Sequence, residues 1–252
     1  MPGGTLRRKD RRVARTIVIS QPMFLPWLGM FEQVAMADEF VHYDDVQFSK
    51  GSFSNRVQLK AVNGSMWLTA PLDRRRSGEN IADTWMAPER AWRDQHLRSI
   101  AQALARAPFA SDAIGLADAA YAATTDNLSE FDVRAMELVA GWLGLSTRFR
   151  RSSELAIPGS GSPRVLAVCQ ALGATTYVTG HGAAAYLDHE AFEAAGIEVR
   201  YMDYALRPYA QLHGEFTPFV TILDAIACCG RGARELMVSG TRNWSEHVGR
   251  SR

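Results

Sequence analysis

The sequence predicts an α/β fold, with a mostly parallel, Rossmann-like sheet flanked by helices and carrying a β-hairpin and a helical insertion. Three observations predict it. Thr16–Ser20 (TIVIS) is β-branched and apolar through its body, the pattern of a strand covered on both faces. Helix-period segments alternate with short apolar runs, as β–α–β units require. Asn63-Gly64 sits between two extended runs, the signal of a tight hairpin. The chain has 252 residues, 47% of them hydrophobic, which suffices for one domain with a real core. The expected division is a flexible basic tail at 1–15, a single α/β domain at 16–240 with a helical insertion at about 87–143, and a C-terminal tail at 241–252.

The elements follow in order. The first strand stops at Gln21-Pro22, because proline cannot continue a hydrogen-bonded ladder. Trp27, Phe31, Val34 and Ala35 then recur at helical spacing, and residues 40–43 make the next strand. Residues 53–60 and 65–70 form the hairpin, and the polar run 73–80 (DRRRSGEN) is an exposed loop. Trp92, Leu97, Ile100 and Leu104 line one face of an inserted helix. Leu128, Phe131, Ala135 and Val139 line another, with Asp126 as its N-cap. Ser162-Pro163 starts a helix as N-cap and first residue, and Gly173 ends it. Residues 175–179 and 197–201 are strands, separated by a short helix that Asp188 caps and Gly196 ends. Residues 219–229 form the last amphipathic helix.

Composition excludes several function classes. Net charge is +1, but residues 1–15 hold Arg7, Arg8, Lys9, Arg11, Arg12 and Arg15 against Asp10, which is 6 − 1 = +5 and leaves 1 − 5 = −4 for the rest. A basic tail on an acidic body is not the basic stripe of a DNA-binding domain. No apolar run is long enough for a signal peptide or a membrane span. Cys169, Cys228 and Cys229 are odd in number, two of them adjacent, which argues against a disulfide framework and for a reducing cytoplasm. His42, His96, His189, His213 and His247 lack ligand spacing with carboxylates, so no metal site and no cofactor are expected.

In an open parallel sheet, ligands bind beyond the carboxyl ends of the strands. Gln21-Pro22, Asp44-Asp45 and Gly180-His181-Gly182 all fall at such ends and are expected to converge. Each also has a plainer reading. The Gln21–Trp27 stretch, with prolines at 22 and 26, is a rigid turn before a helix, or a rigid mount for the Gln21 amide. Asp44 and Asp45 are adjacent and point to opposite faces, so one is a cap or ion-pair partner. Gly180-x-Gly182 is a tight turn or a weak phosphate signal. His181 is structural, or an exposed acid or base near neutrality. Lys50, Asn55, Arg56 and Lys60 sit in and beside the hairpin, either as a solvated face or as a phosphate- or carboxylate-holding set.

Together these segments resemble a known family. ISQPMFLPWLGMFEQVAMADEFVHYDDVQFSKGSFSNR, WLTAPL, ATTYVTGHGAAAYLD and YAQLHGEFTPFVTILDAIACCG are similar to the WbqC-like proteins of O-antigen and related gene clusters, over roughly residues 16–230. The sequence departs from that pattern at His181-Gly182, and the basic tail lies outside it. The resemblance implies a role in surface-polysaccharide or specialised-metabolite assembly, with glycyl, aminoacyl or acyl transfer to an amine as its chemistry. Matching motifs carry over Gln21, Asp44, Asp45, Gln47, Lys50, Asn55, Arg56, Gly180, Tyr186 and Gln211 as candidate site positions. The expected roles are Asp45 or His181 as the base, and backbone N–H groups at Gly180–Gly182 as the oxyanion or phosphate hold. Lys50, Arg56 and Lys60 would bind an anionic donor, either an aminoacyl-tRNA or a nucleotide-linked acyl group. The alternatives are a nucleotide-dependent transferase of another class and a non-catalytic binding protein of a biosynthetic cluster.

Overall fold

The computed structural model describes residues 14–122 and 124–249. Its elements are β1 (Thr16–Ser20), α1 (Leu28–Met36), β2 (Glu39–His42), β3 (Arg56–Ala61), β4 (Gly64–Thr69), α2 (Ala91–Leu104), α3 (Ala110–Tyr121), α4 (Leu128–Trp142), β5 (Arg148–Arg151), α5 (Ser152–Leu155), α6 (Gly161–Ala171), β6 (Thr176–Thr179), α7 (His189–Ala194), β7 (Glu198–Asp203), α8 (Ile222–Cys229), β8 (Gly240–Asn243) and α9 (Trp244–Gly249). The sheet order is β5-β2-β1-β6-β7-β8, and β3 and β4 form a separate antiparallel hairpin. All neighbours in the large sheet run parallel except β7 and β8. The chain therefore winds outward from β1 in one direction and then, from β6, in the other.

The alternation along each strand explains its sequence. Val18, Phe40, Val178 and Met202 face the larger core, which α1–α4, α8 and the hairpin close. Ile17, Ile19, Val41, Tyr177, Val199 and Tyr201 face the smaller core under α6 and α7. Both faces are covered, so the middle positions of the central strands are apolar, and polar residues such as Glu39 and His42 fall at strand ends. The edges differ. β5 (RFRR) and β8 (GTRN) carry no strand pattern in the sequence, because only Phe149 of β5 packs on the larger core and their other residues are polar or glycine. Arginine-rich, short edge strands also resist pairing with another sheet.

Several local expectations need correction. Arg15 and Arg150 both pair with Glu39, which is buried; Arg15 is thus part of the fold, while residues 1–13 of the expected basic tail lie outside the described residues. Residues 240–249, assigned largely to a C-terminal tail, supply β8 and α9. Asn127, not Asp126, caps α4, its side chain accepting from the Glu130 N–H at 2.9 Å. Asp126 instead pairs with Arg93 at 3.0 Å. Ser160 is the N-cap of α6, two residues before the expected Ser162. Gly173 (φ 68°) does end α6, with the Ala174 N–H bonded to Cys169 and the Gly173 N–H to Gln170, a Schellman closure.

Two polar groups are sealed inside this fold. His42 and Asp132 are fully buried, and neither ring nitrogen of His42 nor either carboxyl oxygen of Asp132 has a hydrogen-bond partner among the described residues. Burial lowers the His42 pKa to about 3, with Arg151 adding to the effect, and raises that of Asp132 well above the carboxylate range. A raised folded pKa means that the native state holds its proton where the unfolded chain has lost it. Stability from this group is then present below about pH 4 and declines as pH rises above it. Asp132→Asn cannot lose that proton, so its melting temperature should gain on wild type between pH 4.5 and pH 7.5. A difference that stays constant with pH would contradict the assignment.

Candidate functional site

The winding reverses between β1 and β6, and a cavity of about 660 Å³ opens there. Such a reversal parts two βα connections and leaves a crevice beyond the strand ends. The rim receives Gln21 after β1, Tyr43, Asp45 and Gln47 after β2, Thr179 at the end of β6, and Gly180, Gly182 and Tyr186 beyond it. Gly159, Ser160, Gly161 and Arg164 enter from the start of α6. The three distant loops do meet, as the topology argument required.

The paired aspartates divide their work. Asp44, 1% exposed, accepts bonds from Ser129 and Ser153, including the Ser153 N–H at 3.1 Å, and its own N–H donates to the Ser152 hydroxyl. It caps α5 and ties β2 to α4, and it does not line the cavity. Asp45 faces the cavity, accepting from Ser152 and pairing with Arg164. Burial pushes the Asp45 pKa up, but bonds from Arg164 and Ser152 outweigh it and hold the pKa below the usual carboxylate value. Asp45 is therefore an ionised anchor with weakened basicity.

Arg164 was missed in the sequence because it reads as one more polar residue on an amphipathic helix. Only 5% of its side chain is exposed. Its Nε donates to the Ile157 carbonyl at 2.9 Å, and its guanidinium lies 4.9 Å from the Tyr43 ring centre. The neighbouring Gly159-Ser160-Gly161 was a readable signal, since glycines leading into a helix present N–H groups to an anion. Gly159 and Gly161 have φ of 104° and 59°, which favour glycine. The cavity thus holds a carboxylate, a guanidinium and a helix start whose dipole is positive. The Tyr43 hydroxyl is buried and makes no well-formed hydrogen bond among the described residues; burial raises its pKa, and the nearby Arg164 guanidinium partly offsets that rise.

The other expected residues scatter. His181 does not line the cavity, although Gly180 and Gly182 do. Its Nε2 donates to the Met202 carbonyl at 2.6 Å, and its ring packs against Tyr204 and His247. Successive residues of the tight turn project in different directions, so the glycines and the histidine part company. Lys60 is 4% exposed and gives its Nζ protons to Gln211 at 3.0 Å, Gly214 at 3.1 Å and Glu215. Lys60 and Gln211 pin residues 209–217 onto the hairpin and lie outside the cavity. Lys50, Asn55 and Arg56 line a second cavity of about 350 Å³.

Among the described residues, no cluster of His, Cys, Asp or Glu could hold a metal ion, and no helix is long and apolar enough to cross a membrane. No solved structure matches the chain. It is 33% identical over 226 residues to the uncharacterized protein Rv1507c of Mycobacterium tuberculosis, covering 88% of this chain and 97% of that relative. The model of the WbqC-like protein family matches residues 21–236, which includes every cavity residue named above. The chain belongs to the WbqC-like protein family.

Proposed function

We propose that the protein transfers an aminoacyl or acyl group, glycyl being the simplest case, to an amine of an amino sugar or specialised metabolite, using the cavity between β1 and β6. The observation that carries this reading is the opposed charge within one cavity: Asp45 and Arg164, with the start of α6 beside them. An activated aminoacyl donor has the matching pattern, an ammonium on the transferred group and an anion on the leaving group. Asp45 holds the ammonium through lone pairs that Arg164 and Ser152 leave open. The N–H groups around Gly159–Gly161 and the Arg164 guanidinium receive the departing anion. Gln21, Gln47 and the Tyr43 hydroxyl orient the acceptor. The acceptor amine attacks the acyl carbon, an amide forms, the bond to the leaving group breaks, and the amine proton leaves with the donor or to solvent. Asp45, held ionised below the usual carboxylate range, acts as an electrostatic anchor in this scheme, and His181 has no part in it.

A direct test supplies labelled glycine, either as glycyl-tRNA or as glycine with ATP, together with a panel of nucleotide-linked amino sugars. Label should appear in an acid-stable amide, and Asp45→Asn should slow transfer by about 100-fold, the scale of removing one preorganised charge contact. Full turnover in Asp45→Asn would sink the assignment. The start of α6 also favours a second reading, a nucleotide-dependent transferase of another class, since it can receive a phosphate. Pyrophosphate release from ATP with the amino sugars but without glycine, and with no amide formed from glycyl-tRNA, would favour the second reading.

A further inference from the structure

The second cavity shares a wall with the first. Tyr43, Asp45, Val46 and Gln47 line the cavity at the sheet, and Phe48, Lys50 and Gly51 line the other, so Gln47 and Phe48 face different spaces one residue apart. Gln47 also bridges to Asn80, which lines the first cavity. The second cavity has Lys50, Arg56 and Arg74 on its walls and no carboxylate. Lys50 and Arg74 are exposed and enter none of the ion pairs found among the described residues. Arg56 is fixed in place. It donates to the Gly51 carbonyl and lies 4.3 Å from the Trp67 ring centre, while its Nε is buried without a partner among the described residues. Asn55, beside it, is held by a 3.0 Å bond to the Ala70 carbonyl. Phe53 and Trp67 are exposed, with ring centres 6.0 Å apart, and Trp67 lies beside the Arg56 guanidinium.

We propose that this second cavity is a phosphate subsite, in which Lys50, Arg56 and Arg74 hold the phosphate groups of the molecule whose reacting end occupies the first cavity. Three cations on one concave wall that carries no carboxylate make it a positive surface, which favours an anion. An arginine fixed by stacking with an unpartnered N–H matches a phosphate oxygen better than a mobile lysine does. The exposed pair Phe53 and Trp67, next to Arg56 through Trp67, provides aromatic surface on which a base can stack. The proposal rests on the donor or acceptor being bound in the first cavity. It adds that this substrate is phosphate-bearing, long enough to bridge two cavities. The phosphates come from a nucleoside diphosphate linkage or from a polynucleotide backbone, and the arms of the test separate these.

The probes are UDP-N-acetylglucosamine, inorganic pyrophosphate and a four-nucleotide single-stranded RNA, titrated calorimetrically into the full chain at several salt concentrations. Lys50→Ala/Arg74→Ala changes exposed residues and should keep the wild-type melting temperature. It should weaken at least one probe by about 10-fold or more. For the RNA, the slope of log affinity against log salt should fall by about 1.4, two contacts at ~0.7 each. UDP-sugar binding without RNA binding assigns the diphosphate source, and RNA binding assigns the backbone. Unchanged affinity and salt slope in the double variant overturn the subsite, as does the failure of all probes to bind wild type. Arg164→Ala separates the two levels: if it abolishes transfer while the double variant changes no probe's affinity, the first cavity stands and the second falls.

Discussion

Arg164→Ala should weaken binding of an anionic donor by about 100-fold and lower stability by about 2 kcal/mol. The binding loss corresponds to two charge-assisted hydrogen bonds of ~1.5 kcal/mol each. The stability loss arises because Asp45 keeps its charge in a partly closed site after its partner is gone. It is smaller than for a sealed pair, since 24% of the Asp45 side chain remains exposed to water. Arg164→Lys should recover little. The guanidinium serves two partners at once, Ile157 through Nε and Asp45 through a terminal nitrogen, and an ammonium cannot match that fork. Calorimetric titration gives the affinity and urea unfolding the stability. Combining Arg164→Ala with Asp45→Asn should restore much of the stability and none of the binding. If Arg164→Ala binds donor as wild type does, the electrostatic account of the cavity fails.

Phe24→Ala should cost about 4 kcal/mol, the range for emptying an aromatic core position. Phe24 is fully buried and stacks on Phe131 at 5.1 Å, with Tyr121 and His96 edge-on around it. Its loop is otherwise short of regular hydrogen bonds. The Phe24 N–H donates to the Phe53 carbonyl at 3.0 Å, and the next residue, buried Leu25, has φ of 42°. A leucine held in the left-handed region is strained, and the core around Phe24 supplies the energy that keeps it there. Gln21 stands three residues before Phe24 and at the cavity rim. The variant should therefore lose ligand affinity at temperatures where it is still folded, because the mount of Gln21 loosens. Unfolding in urea with ligand titration at 10 °C would test both parts. A Phe24→Ala protein that is destabilised as expected yet binds as tightly as wild type would show that the loop keeps its shape without the anchor.

Much of this architecture was legible from residues alone. TIVIS, the helix that follows it and residues 40–43 encode a parallel β–α–β start, because both faces of such a sheet are covered and its strands must be apolar. Asn63-Gly64 encoded the hairpin, and Gly173 and Gly196 encoded helix ends. The edge strands β5 and β8 were not legible. They are four residues long and mostly polar, and neither contains a fully buried residue, so they carry no apolar pattern to read. The convergence of Gln21, Asp45 and Gly180–Gly182 followed from topology, since the carboxyl ends of parallel strands share one rim.

The amino-acid pattern by itself determined which segments are strands and helices in the centre of the molecule, and it determined that three loops would gather at one edge. Tertiary structure alone decided what each side chain does there. Asp45 and Arg164 lie 119 residues apart in the chain, and no local period links them. Asp44 and Asp45 are neighbours, yet one caps a helix and the other faces the cavity. Lys60 and His181 have the chemistry of site residues, and their partners are a glutamine with two backbone carbonyls and a single backbone carbonyl. Local sequence sets backbone conformation through short-range sterics and hydrophobic period. The direction of a polar side chain is set by the donors and acceptors that distant segments bring within about 3 Å.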